Sequence, residues 1–328
     1  YGTPINPTYT NVSNIYPENY YNSLQGLSGV DLIEAIQNII ANPDEVKAHS
    51  YADVKSILNN SDVNPENSNQ VWLVYSEQPR SKIDFQNSSN GTGKWNREHT
   101  YPRSRGGFNS IDLDSYADGI DEYWDTDIDS LRHANSDAHG IRAADSPENS
   151  SRGNKDFDNG GSAHSEATDC NYDSDSWEPR DAVKGDVARM MFYMEVRYDP
   201  GVHTDGTSYD LELVDNTGTS GATFGKLSTL ITWHSNDPVD DAERTRNDEV
   251  YSYQGNRNPF IDYPEFVSSI WGSGPLSPSN LATTSISENS LSLSWTDNAT
   301  NETSYKFYKD EVLVETLNSN STSISING

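Results

Sequence analysis

Cysteine is almost missing: Cys170 is the single one in 328 residues. That excludes an internal disulfide framework and zinc sites assembled from cysteine pairs. Positive charge is scarce too, with 22 Lys and Arg against 51 Asp and Glu and a formal net charge of −29. On composition alone this counts against a nucleic-acid partner, because a field of carboxylates repels phosphate. No apolar run approaches the ~18–20 residues of a membrane span, and the richest stretch is 32–41. There is no H-E-x-x-H pair, no Gly-rich loop leading into Lys-Ser/Thr, and no G-x-S-x-G elbow. Zincins, P-loop enzymes and the usual α/β-hydrolases are thereby removed. The first residue is Tyr1, so the lack of a leader sequence carries no information.

Aromatic residues are plentiful: 19 Tyr, 8 Phe and 7 Trp. They allow a chain with 33% hydrophobic residues to build a core instead of staying disordered. The length suits one large domain with a small one attached. Apolar residues recur at i, i+3, i+4 and i+7 through 29–40, predicting a helix that stops before Pro43. Residues 50–58 read as a shorter helix with Tyr51, Val54, Ile57 and Leu58 on one face. Residues 181–198 read as another, with Val183, Val187, Met190, Met191, Met194 and Val196 inward. The run 71–75 (VWLVY) is expected to be a buried strand, 95–102 the end of another, and 224–234 a helix or extended segment. Gly, Ser and Pro dominate 271–280, as in a linker. Short alternating runs follow at 290–295, 305–308 and 312–314 and suggest a β-sandwich. The expectation is an α+β domain over 1–272, a linker over 273–279 and an all-β piece over 280–328.

Two acidic runs stand out, with eight carboxylates in 112–129 and seven in 156–178, and no Lys or Arg in either. Solvated loops are the plain reading. A structural Ca²⁺ held by converging oxygens is the sharper one, although EF-hand spacing is absent and no ligand can be named.

The chemistry concentrates in Trp95-Asn96-Arg97-Glu98-His99-Thr100-Tyr101-Pro102. A carboxylate beside a histidine can hold a hard metal while the imidazole takes a proton from water. Adjacent strand residues point to opposite faces, so a twist or bulge is expected if both serve one site. By itself Glu-His is a common dipeptide, and a surface pair, or a core histidine with a partner, is the simpler explanation.

Three further segments change the balance. Asp137-Ala138-His139 is followed by Glu148-Asn149-Ser150-Ser151-Arg152-Gly153-Asn154. Next comes Lys184-Gly185-Asp186-Val187-Ala188-Arg189-Met190-Met191-Phe192-Tyr193-Met194. Last come Trp233-His234, Arg246-Asn247-Asp248 and Gln254 to Asp262. Together, and in this order, these blocks resemble the endonuclease I family of His-Me finger (ββα-metal) nucleases over most of 70–265. The resemblance implies a ββα core surrounded by helices. It implies His99 as the general base, with Glu98 and Asn149 as the protein ligands of a divalent metal, usually Mg²⁺. Mg²⁺ keeps several waters and binds through few protein oxygens, which suits that pair. The implied products carry 5′-phosphate and 3′-hydroxyl ends. An arginine should clamp the phosphate. Arg105 is the first choice, with Arg97 and Arg103 close by, while Arg152, His139 and Asn154 are read as supporting residues. Where many members carry His or Asn, this chain has Gly140, which suggests a weakened supporting contact.

The segment 278–328 resembles the first part of a fibronectin type III module, with its last two strands missing. Such modules accompany secreted enzymes, so an extracellular location is expected. The leading expectation is a secreted, metal-dependent, sequence-nonspecific endonuclease, monomeric, without a membrane span, that binds DNA, or RNA as well, through the backbone. The competing one is a non-catalytic, calcium-stabilised adhesion or scaffold protein with a decayed core. Between residues 80 and 105, six basic residues (Arg80, Lys82, Lys94, Arg97, Arg103, Arg105) face two acidic ones, a local +4 that suggests a basic substrate track.

Overall fold

Leu32, Ile36 and Ile40 recur every fourth residue, and all three are fully buried on one side of helix α1 (Gly29–Ile40) in the computed structural model. Val30, on the opposite side, is 67% exposed. The structure describes residues 16–76, 78–108, 116–126, 131–198, 211–272, 278–287, 289–297, 304–309, 312–318 and 320–327. Two units are present, Tyr1–Ile270 and Trp271–Gly328. Most of the expected linker, 273–277, lies outside the described residues, as do parts of the acidic run 112–129.

The second helix, α2 (Val54–Ser61), starts later than the apolar pattern suggests. Ser50 and Asp53 form a hydrogen-bonded turn before it, with Asp53 N donating to Ser50 Oγ at 3.1 Å. Short polar side chains of this kind compete with the helix for backbone groups. The apolar run 71–75 is only partly a strand. Strand β1 (Asn67–Trp72) pairs antiparallel with Val63–Asn64 and Pro79–Ser81, and Leu73 to Tyr75 form a buried turn. The chain turns there because Val74 N–H donates to Ala143 O at 2.9 Å.

The central element is a ββα unit. Strand β2 (Trp95–His99) pairs antiparallel with β3 (Ile141–Asp145), in register from Trp95↔Asp145 to His99↔Ile141. Helix α3 (Ser146–Arg152) follows β3 directly, with Pro147 in its first turn and Gly153, at φ 59°, ending it. Val54, Leu58, Val71, Leu73, Trp95, Ile141 and Ala143 form one apolar cluster that fixes α2 and β1 against the two strands. The outer edge of β3 is closed on both sides of Ala143: its carbonyl accepts from Val74, and its N–H donates to the buried Asp62 carboxylate at 2.7 Å. Asp62 also takes Arg246 Nε at 2.7 Å and lies 3.4 Å from Arg142 Nε.

Helix α4 (Lys184–Arg197) runs through the interior and is buried on nearly every side. It packs against α1, against α5 (Leu227–Asn236) and against the turn at Ala138–Gly140. A Cβ on Gly140 would lie 2.5 Å from Met194 Sδ. Close packing on α4 therefore accounts for glycine at this position, where the sequence suggested a lost contact. Helix α6 (Asp241–Gln254) begins with a capping box between Asp240 and Glu243. A buried ion pair ties α4 to α6, Arg189 Nε to Glu243 at 2.6 Å, and Arg257 Nε pairs with Asp262 at 2.7 Å just beyond α6.

Carboxylates of the 156–178 run are distributed among separate local tasks. Asp156 pairs with Arg105, Glu178 with Lys184, and Asp173 Oδ1 accepts from Ser176 N and Asp175 N. Among the described residues no group of three or more His, Cys, Asp or Glu converges on one point.

In the second unit, β4 (Ser279–Ile286), β5 (Ser290–Thr296) and β8 (Ser323–Asn327) form one antiparallel sheet in the order β4-β5-β8. Strands β6 (Ser304–Lys309) and β7 (Val312–Asn318) form a separate pair. The Trp295 and Tyr305 rings, 5.6 Å apart, connect the sheet to the pair. No helix of the described residues is long and apolar enough to cross a membrane.

Removing the Asp62 carboxylate would leave Arg246 as an uncompensated buried charge and open the edge of β3. Asp62→Ala is expected to lower the unfolding free energy by about 3–5 kcal/mol. Urea unfolding checks this, and a loss below about 1 kcal/mol would show that the edge is held by other contacts.

Candidate active site

His99 ends β2, and its ring lies between Tyr51 and Phe108, with centroids at 5.4 and 5.9 Å. His99 Nε2 is 3.0 Å from Asn135 O. A carbonyl only accepts, so Nε2 carries the hydrogen and Nδ1 keeps the lone pair. Burial holds the imidazole neutral and lowers its pKa to about 3. The Asn135 carbonyl opposes that shift, while Arg103, Arg97 and Arg152 add to it. At neutral pH the ring is therefore a proton acceptor.

Glu98 is buried against α3. Its Oε1 accepts from Tyr75 O–H at 2.7 Å and lies 3.2 Å from Arg152 Nη1. Burial raises the Glu98 carboxyl pKa, and Arg152 and Tyr75 pull it back. The Tyr75 phenol is held protonated, well above its ordinary range, first by burial and then by the Glu98 charge. Glu98 Oε2 takes no hydrogen bond among the described residues and is not a buried, unsatisfied atom.

Asn149, in α3, donates from Nδ2 to Asn96 Oδ1 at 2.9 Å and to Arg97 O at 3.1 Å. The main-chain acceptor fixes which way the amide faces, so Oδ1 is turned away and takes no bond among the described residues. Glu98 and Asn149 thus lie on the helix side of the strand pair, each with an uncommitted oxygen. The pairing of β2 is regular through His99↔Ile141, so the expected bulge is absent and Glu98 and His99 leave opposite faces.

Arg152 joins the two sides. Its Nη1 reaches both Glu98 Oε1 and His99 O, the latter at 2.9 Å, and its Nη2 donates to Thr100 O. The guanidinium is fully buried, 4.6 Å from the Phe157 ring centroid. Arg105 is buried as well. Nε donates to Gly221 O, Nη1 to Asp156 Oδ1 at 2.7 Å and to the carbonyls of Asn154 and Gly218, and Nη2 to Thr223 O. Every nitrogen of the expected phosphate clamp is therefore committed inside the protein, where it holds the 218–223 loop. Asn154 Nδ2 binds the same loop through Thr219 O at 2.8 Å.

His139 supports the end of β2 from behind. Its Nε2 is 3.0 Å from Asn256 O, and its ring lies 4.8 Å from Tyr193. The adjacent Gly140 carbonyl accepts Thr100 N–H and Oγ1. Asp137, fully buried, accepts from Tyr193 and Tyr198 hydroxyls at 2.7 and 2.9 Å and from Gln254. Burial alone would raise the Asp137 carboxyl, but His133, His139 and these donors lower it to about 2. Burial lowers His133 to about 3 and His139 to about 4.

Of the six basic residues expected to form a track, Arg80 pairs with Asp145, Lys94 with Asp84 and Arg105 with Asp156, and Lys82 lies in the turn Lys82–Asp84. Arg97 and Arg103 remain at the site, their Cζ atoms 3.5 and 5.0 Å from the Tyr51 ring centroid. Sequence reasoning missed Tyr75, Asn96, Asn135 and Tyr51. The first and last were read as apolar surface of a strand and a helix. The contributions of Asn135 and Tyr51 include main-chain carbonyls, which no residue type can signal.

A neutral imidazole with an accessible nitrogen, uncommitted hard oxygens and nearby arginines is the equipment of a phosphodiester-cleaving enzyme. Comparison with known proteins agrees with the chemistry. The family model described as Endonuclease I matches residues 28–265. An extracellular ribonuclease of Bacillus amyloliquefaciens is 45% identical over 258 residues, covering 77% of this chain and 78% of that protein. An extracellular ribonuclease of Bacillus subtilis (strain 168) is 44% identical over 257 residues, with the same coverage. The chain belongs to the endonuclease I family.

Acid should unfold the protein through its buried histidines. Between about pH 6.5 and pH 4 the unfolded chain binds protons that buried His139 refuses, so stability falls as pH falls across that window. His139→Gln is expected to flatten this limb by up to about 1.4 kcal/mol per pH unit. Urea titrations at several pH values measure it, and an unchanged slope rejects it. Arg105→Lys should cost about 2–4 kcal/mol of stability and leave KM for nucleic acid within about twofold. A tenfold rise in KM at unchanged stability would return Arg105 to the substrate.

Proposed function

We propose that the protein is a secreted, divalent-metal-dependent endonuclease that hydrolyses phosphodiester bonds of nucleic acid with little sequence preference. The carrying observation is the arrangement on either side of β2: His99 with a free, neutral Nδ1, and Glu98 Oε2 and Asn149 Oδ1 uncommitted. This is the His-Me finger reading of the ββα unit. Both relatives bear the name extracellular ribonuclease, which supports export and supports RNA as a substrate.

The donor set fits Mg²⁺. Two protein oxygens, one anionic and one neutral, leave room for water and phosphate around a hard ion, and no sulfur or imidazole competes for the position. Bound there, Mg²⁺ would polarise the phosphoryl oxygen and offset charge on the leaving 3′ oxygen. Tyr75 and Asn96 orient the two ligands through the hydrogen bonds described above. His99 Nδ1 takes the proton of the attacking water while the Asn135 carbonyl holds Nε2–H and fixes the tautomer. Because Glu98 and His99 leave opposite faces, the phosphate sits off the end of β2, where both side chains can reach past the last pair. The products are 5′-phosphate and 3′-hydroxyl ends. A monomeric state completes the proposal. A fibronectin type III relationship of the second unit is supported by its three-plus-two strand arrangement.

Plasmid nicking and RNA degradation, each with Mg²⁺ and with EDTA, test the reading. Cleavage should require the metal, and His99→Ala should lower the rate by about 10²–10⁴-fold while the urea midpoint stays close to wild type. A His99→Ala protein as active as wild type sinks the mechanism. Failure to cut either polymer supports the non-catalytic scaffold reading.

A further inference from the structure

We propose that Tyr51 is a positioning residue that holds Arg97 against a backbone phosphate of the bound nucleic acid. The inference rests on the nuclease reading above and adds a residue and a contact to it. Arg97 and His99 are two apart on β2 and leave the same face. The Arg97 guanidinium lies over the Tyr51 ring, Cζ 3.5 Å from the ring centroid, and its Nη1 donates to Tyr51 O. Ring and carbonyl are two attachments on one residue, and together they fix the plane of the guanidinium. Tyr51 is itself packed on the apolar cluster under the ββα unit, so this anchor is rigid. The same ring stands 5.4 Å from His99, inclined by 31°, and Arg103 Cζ lies 5.0 Å from it. A single phenol therefore touches the proposed base and both arginines.

Charge argues for an anion in this position. Arg105, Arg152, Arg189, Arg246 and Arg257 each face a carboxylate within 3.2 Å. Arg97 has no carboxylate partner among the described residues; it lies against Tyr51 and Phe85, with Arg103 repelling it. A backbone-phosphate contact is independent of base identity.

The test uses the full chain, with cleavage of one RNA and one double-stranded DNA followed across a NaCl titration. Wild type, Tyr51→Leu, Tyr51→Phe, Arg97→Gln and the Tyr51→Leu/Arg97→Gln double variant are compared, with urea unfolding run in parallel. Tyr51→Leu should raise KM by about three- to tenfold with a smaller change in kcat. It should also reduce the slope of log(kcat/KM) against log[NaCl] by up to about one, as Arg97→Gln does. Tyr51→Phe keeps ring and carbonyl and should restore the slope, and the double variant should be no worse than Arg97→Gln. A Tyr51→Leu protein that loses stability but keeps the wild-type salt slope overturns the proposal, and so do losses that multiply in the double variant. Absence of cleavage by wild type would instead remove the nuclease reading itself.

Discussion

The Arg152 guanidinium is the interaction on which the site depends. It sits at the last residue of α3 and reaches back to the carbonyls of His99 and Thr100 and to the Glu98 carboxylate. Helix position, strand end and side-chain direction are thereby set by one buried cation. Without it, two main-chain acceptors and a carboxylate would be left buried together, which is costly in a low-dielectric interior. The aromatic rings of Phe157 and Phe224 keep water from the charge and add a cation–π component. Lysine could not reproduce this, since it lacks the planar fork that serves several acceptors at once.

The same device recurs where a chain with one cysteine cannot use disulfides. Asp62 joins α2, β3 and α6, Arg189 joins α4 to Glu243, and Arg105 gathers the 218–223 loop. The opening impression of an acidic molecule indifferent to phosphate changes in this light. Part of the negative charge is neutralised internally by arginines, and other carboxylates cap turns. The local +4 of 80–105 is likewise reduced, because Arg80 and Arg105 are paired with Asp145 and Asp156, carboxylates from outside that segment. What faces the site is smaller than a track: Arg97 and Arg103 arranged around one tyrosine.

Periodic apolar residues made α1 and α4 legible, because burying one face of a helix is a local requirement that repeats along the chain. The run 71–75 was legible only in its burial. Its backbone turned to meet Ala143, a partner seventy positions away that no local pattern announces. The α2 boundary was set by the Ser50–Asp53 turn in preference to the apolar spacing.

The sequence by itself determined the family and the helices, since these depend on side-chain identity in order along the chain. His99, Glu98 and Asn149 could be named from it as candidates. Tertiary structure decided what each arginine does. Guanidinium chemistry is the same in Arg97, Arg105 and Arg152; only the surroundings differ. Carboxylates brought from distant segments face Arg105 and Arg152, while Arg97 meets the Tyr51 ring and carbonyl and no carboxylate among the described residues. Those surroundings arise from contacts remote in sequence, and so the division between arginines that meet a carboxylate and Arg97, which meets a ring, appeared only in the folded chain.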